Sequence, residues 1–107
     1  MIVILELNNK MAEPGAVKLH IFRPSGRKIW TVVGRDEEYW TEPDLSFCSC
    51  KNYFYKSLSD GKPCYHLISV FTALNRHDYI RFEFDDGEYE QFLNAIIRDS
   101  VKNAFKL

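Results

Sequence analysis

Phe47-Cys48-Ser49-Cys50, followed after thirteen residues by Cys64-Tyr65-His66-Leu67, holds every cysteine of the chain and one of its three histidines. Three sulfur donors and an imidazole at this spacing fit a tetrahedral zinc site with Cys48, Cys50, Cys64 and His66 as ligands and one structural ion per chain. Soft sulfur and borderline nitrogen match the preference of zinc, and four protein ligands leave no place for a reacting water. Two residues apart on an extended segment, Cys48 and Cys50 project to the same side and can share one ion. On a helix, Cys64 and His66 would diverge by about 200°. Cys64 is therefore expected at the irregular entry to a helix, with His66 in its first turn and the helix N-terminus favouring the thiolates. Three other readings stay open. The cysteines could be buried apolar residues beside a surface histidine. A disulfide from Cys64 to Cys48 or Cys50 would leave one thiol over and His66 idle. Thiol catalysis by Cys64 and His66 would leave the other two cysteines without a role.

Outward from this stretch the chain alternates. Val17, Leu19 and Ile21 share one face of a strand over 17–22, and Ile29, Thr31 and Val33 share one face of another over 28–33. Between them, Pro24 pre-sets a turn dihedral and Gly26 tolerates a positive one, so the two strands read as a hairpin. Tyr39 to Glu42 reads as a short strand, as do Leu45–Cys50, Tyr53–Leu58 and the apolar opening run Ile2–Leu7. After Pro63, which suits a first helical position, Leu67, Val70, Phe71 and Leu74 recur at the spacing of one buried helix face. Tyr79 to Phe84 alternates again. A final helix carries the stripe Tyr89, Phe92, Leu93, Ile96, Ile97, Val101, Ala104 and Phe105, preceded by an Asp85/Glu88 capping box and divided between core and docking face. The expected class is α+β: antiparallel strands and a hairpin leading into a ββα zinc finger at about 45–75, then a strand and a C-terminal helix.

At 107 residues the chain reads as one domain, 1–107. With 46% apolar residues, including 8 Phe, 6 Tyr and 2 Trp, it can build a core. Three cysteines do not make a secreted disulfide framework, and no run reaches the length of a membrane span, so the chain reads as intracellular and free of membrane. A formal charge of -1 speaks against a domain living on phosphate contacts. Locally, Lys18, Arg23, Arg27 and Lys28 stand without an acid between residues 16 and 30, and Tyr53, Phe54 or Tyr55 could offer stacking faces. Trp30 and Trp40 read as packing residues, and His20 and His77 as surface residues. Neither a carboxylate pair nor an open metal position is visible, so the chain is not expected to be an enzyme.

The C-x-C, C-x-H arrangement leading into an apolar helix resembles the SWIM zinc finger. Its flanks, Pro24-Ser-Gly-Arg-Lys-Ile-Trp-Thr-Val-Val-Gly34, Phe47-Cys-Ser-Cys-Lys-Asn-Tyr-Phe-Tyr-Lys-Ser-Leu58 and Cys64-Tyr-His-Leu-Ile-Ser-Val70, resemble the small SWIM-domain subunit of Shu recombination-mediator complexes. The resemblance covers roughly residues 17 to 74. Ser69 departs from it, standing where that family has a small Ala. The resemblance implies a non-enzymatic protein that partners a RecA-type recombinase paralogue in homologous recombination and DNA repair. It would meet single-stranded DNA only through the complex, with a homodimer as a further option. The implied location is cytoplasmic in a prokaryote and nuclear in a eukaryote. An autonomous nucleic-acid-binding zinc-finger module is the alternative.

Overall fold

A computed structural model describes residues 15–34, 37–50, 53 and 61–104. The hairpin forms as expected, β1 (Val17–Arg23) against β2 (Arg27–Val33), with Val17 opposite Val32 and Phe22 opposite Arg27. Gly26, at φ 81°, closes the turn with its N–H donated to the Phe22 carbonyl at 2.6 Å. β3 (Glu38–Glu42) and β4 (Phe47–Cys48) extend the sheet from β2, and β5 (Ile80–Asp85) joins the other edge. The order is β4-β3-β2-β1-β5. The strands that lead into the finger pair antiparallel as expected, and the parallel pairing of β1 with β5, whose direction the sequence left open, makes the sheet mixed. The intervening helix is the cause: α1 (Tyr65–Arg76) carries the chain back across the sheet, which makes a parallel return possible.

The two faces of β1 are both buried because each meets a helix. Val17 and Val32 pack against Val70 and Ala73 of α1, with Trp30, Tyr39, Leu74 and Tyr79 around them. Complete burial of Val32 and Val70 stabilises the layer by about 1.5–3 kcal/mol each. On the opposite face, Phe22 meets Tyr89 edge-on at 5.1 Å and Phe84 at 5.4 Å, beneath α2 (Tyr89–Ala104). His20 belongs to this aromatic layer. It is buried, 4.6 Å from the Phe92 ring, and its Nδ1 donates to the Ile29 carbonyl at 3.0 Å. The surface position expected for His20 is therefore corrected: alternation places it beside Phe22 on a face that α2 covers. His77, in contrast, is exposed and ends α1 in the left-handed region at φ 54°.

Other boundaries move. Instead of a strand over 45–50 there is a 3-10 turn at Pro43–Leu45 and a two-residue β4. Pro43 opens that turn and shortens the strand. The expected strands Ile2–Leu7 and Tyr53–Leu58 lie outside the described residues, apart from Tyr53. The Asp85/Glu88 capping box is present, on a 3-10 turn that leads into α2. Along α2, Tyr89, Phe92, Leu93 and Ile96 are half-buried, whereas Ile97 and Val101 are exposed.

Candidate metal centre

Two elements deliver the four ligands. β4 ends at Cys48, which lies opposite Thr41 of β3, and Cys50 follows two residues on. Between them Ser49 is 1% exposed and faces the other way. Its N–H donates to the Trp40 carbonyl at 2.9 Å, and its Oγ accepts the Trp40 N–H at 3.0 Å. This two-bond ring fastens the extended segment to β3 and aims both thiols at α1. Cys64 sits before the first turn of α1 in an extended conformation (φ -75°, ψ 171°), and His66 is in that turn. Pro63, expected at the first helical position, lies before this cap, because the extended backbone at Cys64 is what separates its thiol direction from the helix path.

All four ligand atoms lie within 4.8 Å of one another, with Cys48 Sγ 3.8 Å from His66 Nδ1. A tetrahedral zinc with ordinary Zn–S and Zn–N bonds sets that sulfur-to-nitrogen edge at about 3.6 Å. The cluster is thus close to the size of the ion's coordination shell, with Nδ1 as the imidazole donor. Cys48, Cys50 and Cys64 are free thiols in this arrangement, and all three are buried.

The thiols and the imidazole perturb one another's protonation. Hydrogen bonds with Cys50 and Cys64, reinforced by burial, push the Cys48 thiol up. Hydrogen bonds with Cys48 and Cys50 hold Cys64 down against its own burial, helped by His66 and the Leu67 amide. Burial lowers His66, but hydrogen bonds and charges from Cys50 and Cys64 outweigh it and raise the imidazole to about 9. Three thiolates in this space repel one another, and a divalent cation at their centre lets all three stay ionised together.

Apolar packing keeps water from the cluster. Leu67 is fully buried against the cysteines, with Tyr39 and Tyr53 packed on the outside. The Tyr39 ring lies 4.5 Å from the His66 ring and braces its plane. The Tyr53 N–H donates to Cys50 Sγ at 3.3 Å, a bond that strengthens with thiolate charge. Gly34 leaves room for Tyr39, since a Cβ there would run into the Tyr39 ring and come 2.9 Å from the Glu37 carbonyl oxygen.

Residues 30–75 match the SWIM zinc finger. Cys48, Cys50, Cys64 and His66 are positioned to hold its zinc ion. The match starts at Trp30 within β2 and takes in β3 as well as the ligand segments, and the finger is accordingly built on the sheet. No curated protein and no solved structure shows a significant match to the chain.

The sequence reading of the finger missed Ser49, Tyr39 and Gly34. Ser49 had a signal: alternation through Cys48 and Cys50 turns the residue between them to the opposite face. Tyr39 and Gly34 act across the sheet and carried none. Ser69, the departure within the helix, satisfies its hydroxyl locally by donating to the Tyr65 carbonyl at 3.2 Å. Of the proposed stacking residues, Tyr53 packs on the finger and meets Phe47 edge-on at 5.2 Å, while Phe54 and Tyr55 lie outside the described residues. Trp30 packs edge-on against Tyr79, and Trp40 against Phe47.

The basic stretch of the hairpin is largely engaged within the fold. Lys18 Nζ is 2.9 Å from Glu38 Oε1, and Arg23 lies 4.0 Å from Glu83, which Arg81 also approaches at 3.3 Å. The Arg27 guanidinium sits 4.7 Å over the Tyr89 ring.

Proposed function

We propose that the chain is a non-enzymatic adaptor: a zinc-stabilised subunit that pairs with a RecA-type recombinase paralogue and supports homologous recombination and DNA repair. The observation that carries this reading is the closed ligand set. Three buried thiols and one imidazole fill a tetrahedral shell, so the ion shapes a surface and offers no position for substrate. That surface has apolar side chains to present. Tyr65, between two ligands, is 71% exposed, and Leu45, just before β4, is 74% exposed. Exposed apolar side chains next to the ligands are what such a partner would cover.

The P-S-G-R turn of the Shu-subunit resemblance supports the same reading. Ser25 donates through its N–H and its hydroxyl to Asp86, at 3.0 and 2.7 Å, and so holds the turn against the start of α2. Single-stranded DNA would be met through the complex, in the cytoplasm of a prokaryote or the nucleus of a eukaryote. The test is affinity purification of the tagged chain from its own cells. Recovery of an ATPase of the RecA type is expected, and stable isolation without one would overturn the reading.

The alternative, an autonomous nucleic-acid-binding module, draws on Lys18, Arg23, Arg27 and Lys28. Three of these four already face an acid or an aromatic ring, and a bound zinc with three thiolates takes the formal charge from -1 to -2. Tight, steeply salt-dependent binding of single-stranded DNA by the isolated chain would favour the alternative.

A further inference from the structure

His20 is only 6% exposed, and it is hydrogen-bonded at one of its two ring nitrogens. The Ile29 carbonyl can only accept, so Nδ1 carries the proton and Nε2 keeps a lone pair. Nε2 has no hydrogen-bond partner among the described residues, yet it is not sealed off, because no side-chain nitrogen or oxygen there is both fully buried and unbonded. The ring forms part of the wall of a cavity of about 210 Å³ where β1, β2 and β3 face α2. A side chain this deeply buried with an unused acceptor leaves a place for a donor.

The other polar side chains of the wall are acceptors as well, since their hydrogens are already committed. Thr31 donates its hydroxyl to Glu38 Oε2 at 2.7 Å, Ser100 to the Ile96 carbonyl at 2.8 Å, and the Trp40 indole to Glu42 Oε1 at 3.3 Å. Two carboxylates, Glu38 and Asp99, stand in the wall. Lys18, 2.9 Å from Glu38, offsets one of them and leaves a net negative charge. Trp40, Phe92 and Ile96 supply the apolar surface. Burial holds the His20 imidazole below its ordinary value, so it is neutral at pH 7 and free to accept.

We propose that this cavity binds a guanidinium group, with one N–H donated to His20 Nε2 and the positive charge facing Glu38 and Asp99. A wall of acceptors selects against carboxylates and phosphates, which bring lone pairs and negative charge of their own. Between the organic cations, an aromatic and apolar wall favours the planar, weakly hydrated guanidinium over the strongly hydrated ammonium. The cavity is smaller than the roughly 300–1,000 Å³ of sites for drug-sized ligands, so it suits a group the size of one side chain. Such a group is an arginine side chain of a second protein or a free small guanidine. The site faces α2, on the side of the sheet opposite the α1 layer, and does not depend on which protein the zinc centre serves.

The test is a nuclear magnetic resonance titration of the full zinc-loaded chain at neutral pH with ethylguanidinium chloride. Saturable shifts at the His20 ring nitrogens, the Trp40 indole and the Phe92 to Ser100 amides are expected, with an affinity of about millimolar for so small a ligand. Ethylurea, which has the same shape without the charge, should bind roughly tenfold more weakly or less. His20→Phe keeps a ring and loses the acceptor, and Asp99→Asn keeps an exposed polar side chain and loses the charge; each should weaken binding roughly threefold or more. The exposed Asp99 site keeps the test open if His20→Phe fails to fold. Shifts that do not saturate or that spread over the acidic surface would overturn the proposal, as would equal binding of ethylurea or unchanged affinity in either folded variant. Tighter binding of N-acetylarginine amide than of ethylguanidinium assigns the site to an arginine side chain of another protein, and the reverse order to a free small guanidine.

Discussion

Ser49→Ala removes one oxygen from a buried position and leaves all four ligands in place. In the structure that oxygen accepts the Trp40 N–H at 3.0 Å, while the Ser49 N–H donates to the Trp40 carbonyl at 2.9 Å. A residue's N–H and C=O leave a strand on the same side, so the Trp40 amide points toward β4, away from β2. With alanine at 49 it faces a methyl group. Leaving a buried donor without a partner costs about 1–3 kcal/mol. Cys48 and Cys50 flank the lost anchor, and forming the site is inseparable from binding the ion, so that cost enters the apparent zinc affinity. At 1.4 kcal/mol per decade it corresponds to zinc binding weakened roughly 5- to 150-fold. Competition against a chromophoric chelator under reducing conditions measures it. Ser100→Ala is the control: its hydroxyl donates to the Ile96 carbonyl within α2, 2.8 Å away, and its loss strands no donor. If Ser49→Ala binds zinc within twofold of the parent and melts at the same temperature, the ring on Trp40 does not hold the ligands and the reasoning fails.

Cys64→Ser should abolish stoichiometric zinc binding and unfold the region from Cys48 to Leu74, because structural zinc contributes on the order of 10 kcal/mol to a site of this kind. Retained zinc by elemental analysis together with an unchanged melting curve would contradict the ligand assignment. Gly34→Ala has no positive φ to strain and tests space alone. Displacement of the Tyr39 ring should lower stability by about 1–3 kcal/mol and weaken zinc binding in parallel, read by denaturant melts of the loaded protein. His20 should give a pH dependence independent of the metal. Burial holds its imidazole below the ordinary value near 6.5, with Lys18 acting in the same direction and the Ile29 carbonyl and Glu38 opposing. The unfolded chain therefore binds the proton more readily than the native one. Its contribution is complete above about pH 6.5 and declines as the pH falls through the depressed native value. At saturating zinc His20→Phe should melt with a shallower dependence over that window, and identical slopes would remove His20 from the account.

The ligand set was legible because metal chemistry is local: four donors at short spacing within Cys48–His66, with the helix entry at Cys64 following from their geometry. The hairpin was legible for a similar reason, since alternation and the Pro24/Gly26 turn act over a few residues. What escaped acts across the fold. Lys18, His20 and Phe22 share a face whose burial depends on α2, seventy residues later, so His20 reads as a lone polar residue until that helix is in place. The parallel direction of β5 depends on where α1 returns the chain, and no residue within Ile80–Asp85 encodes it. Pro43 shortened a strand that hydrophobicity alone would extend from Leu45.

Tyr39 explains why the finger and the sheet behave as one object. It packs against the Val17/Val32/Val70 cluster and also against the Cys48/Cys50/Cys64 cluster. α1 does the same from above, with Val70 and Ala73 over the sheet and Leu67 over the thiols. A small domain has little apolar core to spare, and here one aromatic ring and one helix serve two clusters, one of which is completed by a metal ion. Zinc is then not an accessory on a finished fold. Bonds from zinc to Cys64 and His66 would tie the start of α1 to Cys48 and Cys50, and so would brace the angle at which Val70 and Ala73 meet Val17 and Val32. The same bonds would hold in place the exposed Tyr65, which stands between two of the ligands. A surface built in this way takes its shape from the ion, as at any closed structural metal centre.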